Sequence, residues 1–169
     1  RELDEALEQV EKESAVNVVY LVDSFGALYS EQICHLAKKY ITAMPKREIG
    51  IHAHNNQQLA FANTIEAIIQ GINFLDGTIF GIGRAAGNCP LELLLGFLKN
   101  PKFNIRPILD VLGSDFVKLR EEIEWGYTIP YMITGILDLH PRAGMKLRNS
   151  EDKDEYLNFY EKLTSEANV

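Results

Sequence analysis

Residues 49–56 read Ile-Gly-Ile-His-Ala-His-Asn-Asn and carry the side chains with the most chemistry to offer. The octet has the pattern of a buried strand that ends in two histidines spaced i, i+2. Side chains alternate faces along a strand, so His52 and His54 project from the same side. Their Cα atoms would lie roughly 6.6 Å apart, at about 3.3 Å per residue, and imidazoles so spaced can lean onto one metal ion. Ile49, Ile51 and Ala53 take the opposite face and suit packing against a helix. Spacing alone leaves two readings open, a metal-binding pair or two ordinary strand-end histidines, because no third ligand is visible beside them. The carboxamides of Asn55 and Asn56 follow where the strand would run out, the end at which parallel α/β folds collect their chemistry.

The elements that must position this octet alternate along the chain. Residues 2–13 read as an amphipathic helix, and Val16–Val22 is the β-branched apolar run of a strand covered on both faces. Asp23-Ser24-Phe25-Gly26 breaks it. Ser30 is placed to cap a helix whose apolar face is Ile33, Leu36, Ala37, Tyr40, Ile41 and Met44, and Pro45 ends that helix. After the histidine strand come a helix from about Leu59 to Gln70 stopped by Gly71, a strand at Phe74–Phe80, a glycine-rich loop at Gly81–Gly87 and a helix over Pro90–Leu98. Three strand–loop–helix units of about 27–30 residues indicate a parallel α/β sheet, in a (β/α)₈ barrel or an open sheet. A whole barrel takes about 250 residues, so 169 can hold only part of one. Beyond residue 100, Asn104–Ile123, Ile129–Leu139 and Ser150–Thr164 read as helical.

Composition narrows the class. The chain can bury a core, with 46% hydrophobic and 24% charged residues, and its formal net charge of −7 argues against nucleic acid as a partner. No apolar run approaches the roughly 20 residues of a membrane span, and the charged start, Arg1-Glu2-Leu3-Asp4-Glu5, does not read as a signal peptide. Cys34 and Cys89 make no disulfide framework, so a cytoplasmic location is the default expectation. The absence of an initiator Met is what a fragment, a processed chain or an engineered one would show.

The stretch from Leu75 to Glu92 contains Gly81-Ile82-Gly83-Arg84-Ala85-Ala86-Gly87-Asn88. Its glycine spacing fails the dinucleotide pattern, and no Lys-Ser/Thr follows to make a P-loop. Such a loop either lets backbone N–H groups approach an anion or is a plain tight βα connection. Together with Val22-Asp23-Ser24-Phe25-Gly26 and His52-Ala53-His54-Asn55, it resembles, in order and spacing, the second half of the barrel in the DRE-TIM metallolyase (HMG-CoA-lyase-like) superfamily. Within that superfamily the chain looks most like the 4-hydroxy-2-oxovalerate aldolase branch. Trp125-Gly126-Tyr127-Thr128-Ile129-Pro130-Tyr131 resembles the helix start that supplies a tyrosine to that aldolase site. Isopropylmalate and homocitrate synthases share the first three motifs and less beyond residue 100. The resemblance is strong to residue 95 and weaker afterwards.

The resemblance implies a fold, a reaction and roles. The fold is the C-terminal part of a TIM (β/α)₈ barrel over residues 1–103, followed by a helical C-terminal region over 104–169. The reaction is divalent-metal-dependent cleavage of a 4-hydroxy-2-oxo acid to pyruvate and an aldehyde through a metal-bound enolate. His52 and His54 would be ligands to Mn²⁺ or Mg²⁺, with Zn²⁺ used by some relatives, and Asn88 would sit in or beside the coordination sphere. Ser24 would lie near pyruvate, Tyr127 would help position a proton donor, Arg84 would hold a substrate carboxylate or pair with a nearby acid, and Asn55 would orient the histidines. Asp23 would orient the site or cap a loop. Cys89 reads as a small buried packer, and His35 and His140 as surface and helix-end residues. The family's first strand carries an Asp ligand, an enolate-stabilising Arg and, in aldolases, a nearby catalytic His. None has a counterpart here, so the chain is expected to lack a complete site by itself. The partners implied are a small 2-oxo acid, a second copy or the missing half-barrel, and an aldehyde dehydrogenase docked on residues 104–165. The alternatives are a Claisen-type acyl-CoA synthase and a non-catalytic assembly domain.

Overall fold

Three strands, β1 (Val18–Asp23), β2 (Glu48–Ala53) and β3 (Phe74–Leu75), pair in parallel in chain order. Strands that add in sequence in one direction fit a barrel wall, as they do one half of a doubly wound sheet. This computed structural model describes residues 2–13 and 15–167. Arg1, with which the expected helical start opens, lies outside the described residues, as do Ser14, Asn168 and Val169. The fold is α/β, the C-terminal part of a TIM barrel followed by a helical extension.

The β1–β2 register sets Val19, Leu21 and Asp23 against Ile49, Ile51 and Ala53. That face is buried under α1 (Glu2–Lys12), α2 (Ser30–Ala43), α3 (Ala60–Ile69) and α4 (Leu91–Leu98), with Leu7, Ile33, Ala37, Ala60, Ala67 and Leu94 in one apolar cluster. Ile33 and Ala37, four residues apart, and Ala60 and Ala67, seven apart, each fall on one apolar stripe of their helix. The opposite face sets Val18, Tyr20 and Val22 against Glu48, Gly50 and His52. Gly50 makes room there for the Tyr20 ring: a Cβ at this position would lie 2.5 Å from a ring carbon.

Several expected boundaries shift. The first strand runs Val18–Asp23 and not Val16–Val22. Ser30 is the first residue of α2 and not its cap. Tyr29 is the cap, its backbone N–H donating to Gln32 Oε1 at 2.9 Å, so a glutamine three residues on satisfies the end that Ser30 was expected to serve. The strand expected over Phe74–Phe80 stops at Leu75, because the chain turns toward the loop and makes a single 3₁₀ turn at Ile79–Gly81. The helix expected over Asn104–Ile123 is α5 (Arg106–Val111) and α6 (Val117–Glu122) joined by a π-helical turn at Leu112–Phe116. After α7 (Ile129–Ile136) comes α8 (Arg142–Arg148), which the sequence reading did not anticipate, and α9 starts at Tyr156 (Tyr156–Ala167) where Ser150 had been expected. Ile133, Phe159 and Leu163 form a separate apolar cluster among these last helices, and Tyr131 packs on Ala85 and Ala86 of the glycine-rich loop.

Candidate metal centre

His52 is the penultimate residue of β2, and His54 follows just beyond its end. Their rings sit edge to face with centroids 5.0 Å apart, so the alternation of the strand does bring them together. His54 Nδ1 lies 3.0 Å from the Asp23 carbonyl oxygen, which can only accept. The Nδ1 of His54 therefore carries the proton and donates, leaving a lone pair on Nε2. His52 Nδ1 lies 3.1 Å from Asp76 Oδ2 and donates to that carboxylate in the same way. A carboxylate or carbonyl behind each imidazole is the arrangement that fixes metal-binding histidines in orientation and tautomer. Burial holds the His54 pKa below its ordinary value, helped by the positive fields of His52 and Arg84 and opposed by the Asp23 carbonyl. The neutral ring that results is the form that binds cations.

Asn88 meets His54 across an isolated antiparallel bridge. Its Nδ2 donates to the Ile82 carbonyl at 3.1 Å, while its Oδ1 is buried without a hydrogen-bond partner among the described residues. A buried carboxamide oxygen left unbonded costs about 1–3 kcal/mol, which an electropositive partner would relieve. Among the described residues, no group of three His, Cys, Asp or Glu side chains is arranged to hold a metal. The donor set is thus two imidazole nitrogens, with Asn88 bridged to His54 through its backbone. It fits one side of a divalent-cation site, whose remaining positions would be filled from elsewhere or by water.

The loop is built around Gly87 (φ +84°), where an added Cβ would lie 2.0 Å from the Gly81 carbonyl oxygen. That close approach lets Asn88 N–H donate to Gly81 O at 3.0 Å and lets the Gly87 carbonyl accept from Asn55 N–H at 2.9 Å. Asn56, buried and given no role by the sequence reading, ties two loops together. Its Nδ2 donates to Phe25 O at 2.8 Å, and its Oδ1 accepts from Ala86 N–H at 3.2 Å. Asn55 does not orient the histidines as expected. Its Oδ1 accepts from Ala60 N–H at 3.1 Å and so ties down the start of α3. The orienting groups are Asp76 and the Asp23 carbonyl. An acid at the end of the neighbouring strand was the available signal for Asp76. Asp23 also caps its loop, accepting from Ala27 and Leu28 N–H at 3.1 and 3.2 Å, and burial raises its pKa despite these bonds.

The other expected residues are spread around this centre. Ser24 is exposed in the turn after β1. Arg84 is exposed on the loop, close enough for its charge to lower the pKa of both His54 and His140. Tyr127 is 52% exposed and makes no hydrogen bond among the described residues. Trp125, two residues earlier, is buried and donates from Nε1 to the Phe80 carbonyl at 2.8 Å.

Comparison with known proteins gives this geometry its context. The HMGL-like family profile matches residues 1–115. The chain belongs to the HMGL-like family. Over 95 residues it is 42% identical to a 4-hydroxy-2-oxovalerate aldolase of Thermus thermophilus, covering 56% of this chain and 27% of that protein. Over 113 residues it is 41% identical to an oxaloacetate decarboxylase of Mycobacterium tuberculosis, covering 63% of this chain and 32% of that protein. The matched stretches thus span about a quarter to a third of these HMGL-like relatives. Among solved structures, the N-terminal domain of a Bacteroides vulgatus protein assigned as an aldolase superposes with a TM-score of 0.75 at 32% identity. The match covers 85% of this chain and 49% of that one. The carboxyl transferase domain of Rhizobium etli pyruvate carboxylase shares the fold at 14% identity, with a TM-score of 0.70 over 98% of this chain and 28% of that one. The family is one of lyases and aldolases. Among the described residues, no helix is long and apolar enough to cross a membrane.

Proposed function

We propose that this chain supplies two histidine ligands of a divalent-metal-dependent aldolase that cleaves a 4-hydroxy-2-oxo acid to pyruvate and an aldehyde. The observation that carries the reading is the pair His52 and His54, each with Nδ1 engaged by an oxygen acceptor and Nε2 free to coordinate. A divalent cation bound there, Mn²⁺ or Mg²⁺ in this reading, would supply Lewis-acid polarisation of the 2-oxo acid carbonyl. His52 and His54 hold their rings in place, Asp76 and the Asp23 carbonyl keep the protons on Nδ1, and Asn88, bridged to His54 through its backbone, would offer its unpaired Oδ1 to the cation. Arg84 offers a positive charge to the substrate carboxylate. Tyr127, exposed at the start of α7, is available to position a proton donor. In the reaction a base removes the 4-hydroxyl proton, the C3–C4 bond breaks, and its electron pair stays on C3 of the pyruvate fragment, which is then protonated.

The oxaloacetate decarboxylase among the relatives favours a second reading in the same site. There the C3–C4 bond of a 2-oxo diacid breaks, the carboxyl group leaves as CO₂, and the electron pair again remains on C3. Both readings require the metal pair. Free Mn²⁺ titrated against the protein by electron paramagnetic resonance should show one ion bound per chain. His52→Ala and His54→Ala should each weaken binding at least about 100-fold. Equal binding by the wild type and both variants would sink the proposal.

A further inference from the structure

Phe80 stands at φ +56°, a left-handed backbone conformation that costs a bulky L-residue on the order of 1–2 kcal/mol. Three groups grip it. Its carbonyl accepts from Trp125 Nε1 at 2.8 Å, and its N–H donates to Glu92 Oε2 at 3.1 Å. Its ring meets the Trp125 ring edge to face at 5.7 Å, and the Arg120 guanidinium lies over it, 4.8 Å from the ring centroid. The same guanidinium is 5.7 Å from the Trp125 ring. Gly126 (φ +102°) leaves room for it: a Cβ there would lie 3.1 Å from Arg120 Nη2. Immediately after Phe80 comes Gly81, whose carbonyl accepts from Asn88 N–H, and Asn88 is the residue that bridges to His54.

We infer that Trp125 and Arg120 are positioning residues. From the helical region they lock Phe80 and thereby set the loop that brings Asn88 beside His54. The role given to Asn88 rests on the metal-site reading above, whereas the locking itself does not. A buried indole needs an acceptor for its N–H, and here that acceptor is the carbonyl of a strained residue at the hinge of the site loop. Arg120 is exposed, so its stacking adds cohesion to the clamp with little part in the core.

The test compares Trp125→Phe, which keeps a ring and removes the donor, with Arg120→Gln, in the full natural protein. Amide hydrogen exchange reads the loop directly. Asn55 and Asn88 N–H, bonded to Gly87 O and Gly81 O, should exchange roughly tenfold faster in each variant, while the amides of β2 keep their wild-type rates. Mn²⁺ affinity should fall by a similar factor, and Trp125→Phe should add nothing further in an Asn88→Ala background. Unchanged exchange at Asn55 and Asn88 in both variants would overturn the inference. So would faster exchange spread evenly through β2, which would make Trp125 a general core residue. Should Trp125→Phe fail to fold, Arg120→Gln alone decides. Local loosening in the two variants, with no Mn²⁺ bound even by the wild type, would leave the clamp standing and remove the metal reading.

Discussion

The Asp23 carbonyl and the Asp76 carboxylate decide which nitrogen of each histidine is free, and so whether the pair can coordinate at all. Asp76→Asn should therefore weaken Mn²⁺ binding about 10- to 100-fold with little change in stability, measured by titration calorimetry beside a thermal melt. Unaltered affinity would mean that Asp76 only accompanies His52. Cys89 follows the candidate ligand Asn88, yet it is fully buried, and burial pushes its thiol up to about 11. At pH 8 about one thiol in a thousand would be ionised even if reagent reached it. Iodoacetamide should therefore label the partly exposed Cys34 and spare Cys89 until the protein unfolds, as intact-mass spectrometry would show. The sequence exposed the histidine pair because strand alternation is local. It hid Asp76 and Asn56, since their partners lie 24 and 30 residues away and are set by strand pairing and loop packing.

Among the elements, β1, β2 and α1 to α4 were legible because each carries one apolar stripe or a β-branched run bounded by Gly or Pro. The third strand was overextended because the apolar residues Ile79 and Phe80 continue its pattern. They belong instead to a turn held by Trp125, a residue 45 positions away in the chain. The helix α8 escaped notice because it is short and lies between Pro141 and a polar segment. Two substitutions test the local backbone in opposite directions. Gly87→Ala drives a methyl into the Gly81 carbonyl at φ +84° and should destabilise the protein by about 2 kcal/mol or more. Lys99 closes α4 at φ +48°, a left-handed cap that glycine fits better, so Lys99→Gly should stabilise by about 0.5–1 kcal/mol. Urea denaturation of both variants reads the two signs, and a stabilising Gly87→Ala would refute the loop geometry.

Across the whole molecule, the sheet face that carries His52 is open. Val22 is 46% and Phe74 40% exposed there, and β1 and β3 each leave one edge unpaired among the described residues. Such faces and edges associate. Sedimentation velocity of the 169-residue chain alone should show a mass that rises with concentration, and Phe74→Asp should reduce it; a clean monomer at high concentration would contradict this. The same open face is where the metal pair would meet the remainder of an active site. The most direct measurement follows deuterium entering the pyruvate methyl group in D₂O, with the longest natural form of the protein and added Mn²⁺, read by mass spectrometry after chelation. The account predicts metal-dependent exchange that disappears in His52→Ala. No exchange, with metal bound and the fold intact, would contradict pyruvate enolisation at this site.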